Sequence, residues 1–234
     1  PHMPDISVLD TGVLLGATIE KDTHHQECIG YLLTQETCYV TPTVEREFDN
    51  KDTEIRETLS DEISQHRQDV STEVDNQTLS PSAIDWIRTN LLSQELNSYR
   101  FLDQYYQNLR SEARFSTIDR LQVISDLEDM EFEVWEDEAE EYGGLESLVA
   151  YWNDPIPSYP DVEHELLICE GDDPIVCIEA HHIATEEQPP TELATTNPRH
   201  FIRQVGDEPE TREANILRMT NLDTVADRSW DGDV

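Results

Sequence analysis

The chain has 234 residues, of which 52 are acidic and 15 are basic, giving a formal net charge of −37 at pH 7. This length allows one large domain, or a domain with a long insertion, and a core that needs no disulfides. The sequence contains no apolar run as long as a membrane span and no visible signal peptide, so we expect a cytoplasmic protein without a membrane partner.

The acidic residues are spread along the whole chain, between regular apolar patterns. Repulsion among so many charges destabilises a compact state in dilute buffer. Molar salt screens this repulsion, because the Debye length falls to about 3 Å at 1 M. High net charge also suits disorder, but the apolar patterns favour a folded, halophilic protein that requires salt. In such a protein, a negative net charge does not exclude a nucleic-acid substrate.

Two features of the sequence, its first three residues and its four cysteines, are assigned no role in a functional site. Residues 1–3 (Pro-His-Met) are predicted to be the remnant of a cloning tag. The four cysteines do not have the CxxC spacing of a metal site, and we expect them to be reduced and buried. They are Cys28, Cys38, Cys169 and Cys177.

Strand and helix patterns alternate in the N-terminal part. Residues 6–11 predict a buried strand, and residues 22–36 predict a helix that begins at Asp22 or Thr23. Residues 38–42 predict a second strand, and the proline that closes this segment opens a further helix.

The middle of the chain has a different character. Residues 51–159 are helical in period and are predicted to form an acidic, mainly helical insertion. Within it, residues 82–115 carry an apolar stripe, which we expect to pack on the rest of the chain or on a second copy in a homodimer. The insertion separates residues 4–50 from residues 160–225, which together are predicted to form a discontinuous α/β core.

One window of the insertion allows two interpretations. Residues 86–122 hold five arginines, four acids and six aromatic residues. Arginine with aromatic side chains suits stacking on single-stranded bases and contact with phosphate. The slightly favoured alternative is that the aromatic residues lie in a core and the arginines pair with nearby acids.

The C-terminal part resumes the alternation. Residues 172–187 predict a helix, 191–196 a strand, 197–204 a short helix and 215–222 a last strand. Alternating strands and helices predict an α/β fold with a mostly parallel sheet that is covered by helices on both faces.

Polar side chains follow the predicted strands or open the next helices. They are Asp10, Glu45 or Glu47, Asp172 or Asp173, and Asn197. Because sites in such folds lie at the carboxyl ends of the strands, these groups are candidates for one site. Carboxylate and amide oxygens suit Mg²⁺ or Mn²⁺. Isolated acids in a chain this acidic are more often solvated surface groups or helix caps, and periodicity does not choose between the two glutamates.

Four motifs, in order, resemble those of the PIN-domain ribonucleases, which include the VapC group. "VLDTGVLL" is similar to the first family strand and matches Asp10 to its acidic residue. "TPTVEREF" resembles the second motif and selects Glu47. "DDPIVCIEAHHIA" resembles the third motif and selects Asp173, and "TTNPRHF" resembles the fourth, with Asn197 at the last position.

This resemblance covers about residues 5–48 and 165–222 and leaves out the middle. It implies a PIN-like three-layer α/β/α fold and a Mg²⁺- or Mn²⁺-dependent endoribonuclease that cleaves RNA phosphodiester bonds. The matched residues would be catalytic, and the three acids among them, Asp10, Glu47 and Asp173, would also be metal ligands.

The fourth motif departs from the family, which often has aspartate where this chain has Asn197. The missing charge favours one tightly held ion over two. It also favours an alternative function, a catalytically weak PIN-like module that binds RNA or protein. A toxin component with an antitoxin-like partner is a further alternative. A haloacid-dehalogenase-type phosphatase is disfavoured, because Gly12 stands where that chemistry requires a second aspartate.

Overall fold

The structure is a computed structural model that describes residues 4–92, 100–167, 171–204, 206–207 and 209–229. The predicted burial of Cys169 falls outside these residues, as do positions 93–99 of the predicted apolar stripe. Cys28, Cys38 and Cys177 are buried, as predicted. Among the described residues, no helix has both the length and the apolar character needed to cross a membrane.

The described chain contains seven strands and a series of helices. The strands are β1 (Ile6–Leu9), β2 (Thr37–Val40), β3 (Thr78–Leu79), β4 (Ile118–Asp119), β5 (Ala150–Tyr151), β6 (Thr191–Thr195) and β7 (Thr224–Asp227). The helices are α1 (Thr11–Thr18), α2 (His25–Thr34), α3 (Pro42–Glu73), α4 (Pro81–Asn90), α5 (Arg100–Glu112), α6 (Arg120–Glu133), a 3₁₀ helix (Glu138–Tyr142), α7 (Leu145–Leu148), α8 (Pro160–Glu165), α9 (Asp173–Glu187), α10 (Pro198–Phe201) and α11 (Arg212–Met219).

The chain divides into two compact units. The first unit comprises Pro1–Thr18, His24–Lys51 and Asp137–Val234, and the second comprises Ile19–Thr23 and Asp52–Glu136. The predicted insertion extended to residue 159, but residues 137–159 belong to the first unit. The reason is strand pairing, since β5 forms parallel hydrogen bonds with β2. A two-residue strand gives too weak a sequence pattern to be recognised.

The first unit contains a five-stranded sheet with the order β5-β2-β1-β6-β7, in which every pairing is parallel. The predicted α/β class with helices flanking a central sheet in three layers is confirmed. The central strands β1 and β6 are buried along their whole length. Burial on both faces explains the mainly apolar sequence of β1. β6 has the sequence Thr-Glu-Leu-Ala-Thr and buries polar side chains, among them Glu192 and Thr195, which are hydrogen-bonded within the fold.

The last predicted strand was wrong. Most of residues 215–222 lie in helix α11, and the final strand is β7, which pairs with β6. The Thr211 hydroxyl accepts a hydrogen bond from the backbone N–H of Ala214 at 3.2 Å, which caps the helix at its start. Ile216 is fully buried on one face of this helix. A short apolar run is compatible with either a strand or a helix. Here the Thr211 cap and the burial of Ile216 stabilise the helix.

The second unit is mainly helical, as predicted, with a two-stranded antiparallel pairing of β3 and β4. Its core includes Tyr106, which is fully buried. Arg88 forms an ion pair with Asp103, and Arg110 forms one with Asp85 at 2.8 Å. These ion pairs support the favoured interpretation for the arginines. For the aromatic residues it holds only in part, because Trp86 and Phe115 are exposed.

Buried His66 gives the second unit a pH dependence. With its proton on Nδ1, the ring donates to the Leu91 carbonyl at 3.1 Å and accepts from the Tyr106 hydroxyl at 2.7 Å. Burial lowers the pKa of His66 below its ordinary value of 6.5. The unfolded chain therefore binds the proton more readily, and stability falls as the pH drops below 6.5.

We expect His66→Gln to remove this pH dependence. The difference in unfolding free energy between the wild type and the variant should shrink from pH 7.5 to pH 5, because only the wild type has the His66 contribution, which falls with the pH, while the other titrating groups are common to both proteins. Chemical denaturation at both pH values measures it. A difference that does not change with pH would contradict the assignment.

Candidate active site

Asp10 lies directly after β1, at the carboxyl edge of the parallel sheet. Its residue surface is only 8% exposed. The backbone N–H of Thr11 donates to Asp10 Oδ1 at 2.8 Å, and the Thr195 hydroxyl donates to Oδ2 at 2.8 Å. The backbone N–H of Asp10 in turn donates to the Ala194 carbonyl at 2.9 Å. The carboxylate is thus held in one orientation by the end of the neighbouring strand β6.

Asp10 opens onto a cavity of about 410 Å³ in the first unit. The cavity brings together all four residues that the motifs selected. Its lining is Asp10, Thr11, Gly12, Leu15, Glu47, Lys51, Gly171, Asp172, Asp173, Thr196, Asn197 and His200. Parallel strands explain the convergence, because their carboxyl ends share one edge of the sheet.

The fold separates the two candidate glutamates of α3. Glu47 lines the cavity, and its Oε2 accepts a hydrogen bond from the Thr11 hydroxyl at 2.7 Å. Glu45 is exposed and does not line the cavity. Position therefore favours Glu47, in agreement with the motif resemblance.

A buried carboxylate on α9 anchors the helix that carries Glu47. Glu179 is 7% exposed and accepts hydrogen bonds from the Thr43 backbone N–H at 3.3 Å and from the Thr43 hydroxyl at 2.8 Å. This satisfies an amide at the start of α3, where no preceding turn can supply an acceptor. Glu179 thereby fixes where α3 begins, one turn before Glu47.

The two aspartates at the start of α9 have basic partners. His200 Nδ1 lies 2.9 Å from the buried Asp173 Oδ2, an ion-pair distance. Asp172 pairs with Arg46 at 3.0 Å, and both of these side chains are largely exposed. Asp173 is the more buried carboxylate of the two, which agrees with its selection by the third motif.

Asn197 precedes α10 and is linked to Asp10 through Thr195. The Asn197 backbone N–H donates to Thr195 Oγ1 at 2.8 Å, while the same hydroxyl donates to Asp10. Thr195, at the end of β6, therefore positions both the Asp10 carboxylate and the backbone of Asn197.

Burial and mutual repulsion perturb the carboxyls of the cavity. Burial is the largest cause that raises the pKa of Asp10 to about 6, and the charges of Asp173 and Glu47 add to it, against the lowering effect of the hydrogen bonds from Thr195 and Thr11. The pKa of Asp173 is also raised, chiefly by burial, while His200 opposes the rise. Ionising these groups together is unfavourable unless a cation compensates them.

The donor chemistry of the cavity suits a divalent cation, although its carboxylates are engaged by protein groups. Among the described residues, no group of three or more His, Cys, Asp and Glu side chains is arranged to hold an ion as it stands. Glu47 is bound by Thr11 and Lys51, and Asp173 by His200. Several carboxylates around one cavity, with a raised pKa at the buried Asp10, are nonetheless the arrangement that a hard cation relieves.

Gly12 allows close packing at the edge of this cavity. A Cβ on Gly12 would lie 2.2 Å from Thr196 Oγ1, far inside van der Waals contact. A side chain at position 12 would therefore require the Thr196 side chain to move.

We expect Gly12→Ala to destabilise the protein by about 1–2 kcal/mol, the usual cost of overpacking. In a Thr196→Ala background the clash is absent, and the same substitution should stabilise by about 0.5–1 kcal/mol through helix propensity. Chemical denaturation of the four proteins of this double-mutant cycle measures the coupling. Equal effects in both backgrounds would show that the contact does not restrict this position.

The sequence patterns missed several side chains of the site. Lys51, Thr195 and His200 had no assigned role, although a lysine four residues after Glu47 on a helix is a recognisable pairing signal. The pairing of Thr195 with Asp10 spans 185 residues and has no local signal.

No protein-family model, curated protein or solved structure matches this chain.

Proposed function

We propose that the first unit is a Mg²⁺- or Mn²⁺-dependent endoribonuclease. The observation that carries this proposal is the convergence of Asp10, Glu47, Asp173 and Asn197 on one cavity at the carboxyl edge of a parallel sheet. The choice of RNA as substrate and partner rests on the resemblance of the four motifs to PIN-domain ribonucleases. A homodimer and an antitoxin-like partner stay predictions from the sequence.

Asp10, Glu47 and Asp173 would hold the ion. A divalent ion at such a site lowers the pKa of water and polarises a phosphoryl oxygen. Thr195 and Thr11 keep the Asp10 carboxylate oriented, so that its binding geometry needs little rearrangement. The Asn197 amide can donate to a phosphate oxygen, which positions the scissile bond without adding another negative charge.

A cleavage assay in molar KCl tests the proposal. A labelled RNA is incubated with Mg²⁺ or Mn²⁺ and with the wild type, Asp10→Asn, Glu47→Gln or Asp173→Asn. We expect each variant to lose more than about 100-fold in rate, since even outer partners of metal ligands cost about 10–100-fold. Glu45→Gln is the matched control, because it makes the same change two residues away on an exposed position of the same helix.

Two results would overturn the proposal. One is equal cleavage by the wild type in EDTA. The other is full activity of the Asp10 and Asp173 variants.

A binding module is the second candidate function. It is favoured by the protein groups that already contact the carboxylates, Lys51 at Glu47 and His200 at Asp173. RNA binding by the wild type without cleavage in either metal would select this alternative.

A further inference from the structure

Lys51 occupies an unusual position for this chain. The sequence has only two lysines, Lys21 and Lys51. Lys21 is 12% exposed at its side chain and is fixed between Glu20 and Glu133 in the second unit. Lys51 lines the acidic cavity of the first unit and keeps a half-exposed side chain that pairs with Glu47.

Both carboxylate oxygens of Glu47 are engaged. Oε1 pairs with the Lys51 ammonium, and Oε2 accepts from the Thr11 hydroxyl at 2.7 Å. A hydrogen bond from Thr11 leaves a lone pair for a cation, but a divalent cation at Glu47 repels the Lys51 ammonium and competes with it for the same carboxylate. Thr11 is 3% exposed on a short side chain, whereas the Lys51 side chain is 50% exposed on a flexible stem. Lys51 is the partner that can leave.

The ammonium also acts on a second carboxylate of the cavity. Its charge lowers the pKa of Asp173, against the effect of burial. Lys51 thus partly neutralises two proposed ligands at once. When a divalent ion neutralises these carboxylates instead, the Lys51 ammonium is no longer attracted to Glu47. It remains at the wall of the cavity.

We propose that Lys51 changes partner during function: it pairs with Glu47 in the cation-free protein and contacts a substrate phosphate once a divalent ion is bound. This inference rests on the proposed function. Lysine suits the role because its ammonium binds phosphate as a point charge from a flexible stem. In a chain with a net charge of −37, it supplies positive charge where a polyanion must approach.

The first measurement is Mn²⁺ binding by calorimetry in molar KCl, without RNA. Lys51→Met should bind Mn²⁺ about two- to fivefold more tightly than the wild type, as expected when a half-exposed competing ion pair is removed. Lys51→Arg retains the competing charge and should stay near the wild type. Arg46→Met is the matched control, because Arg46 is exposed on the same helix and pairs with Asp172 rather than with Glu47.

The second measurement is the affinity for a 2′-O-methyl oligouridylate 12-mer by fluorescence anisotropy. Lys51→Met should bind this probe several-fold more weakly than the wild type in Mn²⁺. In EDTA the two proteins should bind equally, because Lys51 is then held by Glu47. Lys51→Arg should restore most of the affinity in Mn²⁺.

The outcomes separate this inference from the proposed function. No Mn²⁺ binding by the wild type would overturn the proposed function itself. Normal Mn²⁺ binding by the wild type with unchanged or weaker binding by Lys51→Met would overturn the partner change alone. Equal probe affinities of the two proteins in Mn²⁺ would overturn the phosphate contact.

Discussion

Replacing Asp10 with asparagine should raise the unfolding free energy of the metal-free protein by about 3 kcal/mol at pH 7.5. The folded state raises the pKa of Asp10 to about 6 from an ordinary value of 3.8, mainly because the carboxyl is buried. Each unit of difference between the folded and unfolded pKa corresponds to about 1.4 kcal/mol. An asparagine amide fills the same space without a charge, and its oxygen can still accept from the Thr11 backbone N–H.

The sign of the pH dependence follows from the raised pKa. Between pH 3.8 and about pH 6 the folded state keeps the Asp10 proton that the unfolded chain releases. The contribution of Asp10 to stability is therefore greatest below this window and falls as the pH rises through it. The gain in unfolding free energy from Asp10→Asn should accordingly be largest above pH 6 and vanish near pH 4.

Chemical denaturation in EDTA and molar KCl, at pH values from 4 to 8, measures this effect. Asp154→Asn is the matched control, since it removes the same charge from an exposed loop of the first unit. A variant that is less stable than the wild type at pH 7.5 would show that the Asp10 carboxylate is a stabilising structural group rather than a strained one.

The second large effect is expected away from the cavity, at an ion pair between a buried carboxylate of β6 and the partly exposed arginine that follows β7. Glu192 is 2% exposed, and its Oε1 accepts from the Tyr31 hydroxyl, from Ser7 at 3.0 Å and from Arg228 at 2.8 Å. The Arg228 guanidinium also lies 4.0 Å from the centre of the Tyr31 ring. Arg228 therefore neutralises a carboxylate that has no access to water.

We expect Arg228→Met to destabilise the protein by about 3 kcal/mol, because removing one partner of a buried pair leaves an uncompensated charge. Adding Glu192→Gln should recover at least half of that loss, since the double variant leaves no buried charge. Denaturation of the single and double variants measures both values. If the double variant is less stable than Arg228→Met alone, the ion pair is not the source of the loss.

The two expected effects have opposite signs because the two buried carboxylates differ in their partners. Glu192 has a fixed cation, so it is satisfied within the fold. Asp10 has hydrogen-bond donors but repels Asp173 and Glu47. Folded proteins retain such unfavourable groups where function requires them, which agrees with a cation site at Asp10 and not at Glu192.

The sequence by itself determined the fold class and the chain positions of the site. Strand patterns that alternate with helical patterns predicted the parallel sheet, because parallel neighbours need a crossover connection that is usually a helix. The motifs placed Asp10, Asp173 and Asn197 at strand ends and helix starts. The strand and helix patterns are local and follow from periodicity, whereas the choice of these residues is what the resemblance of the motifs to PIN-domain ribonucleases implies.

Only the tertiary structure decided which side chains meet. The choice of Glu47 over Glu45 depends on how α3 is oriented by Glu179, a contact over 136 residues. The hold of Thr195 on Asp10 depends on the register of β6 beside β1. The assignment of residues 137–159 to the first unit depends on the pairing of β5 with β2. Such contacts join segments that are distant in sequence. Local patterns show which face of a helix or strand is buried, but they do not show which other segment packs against that face.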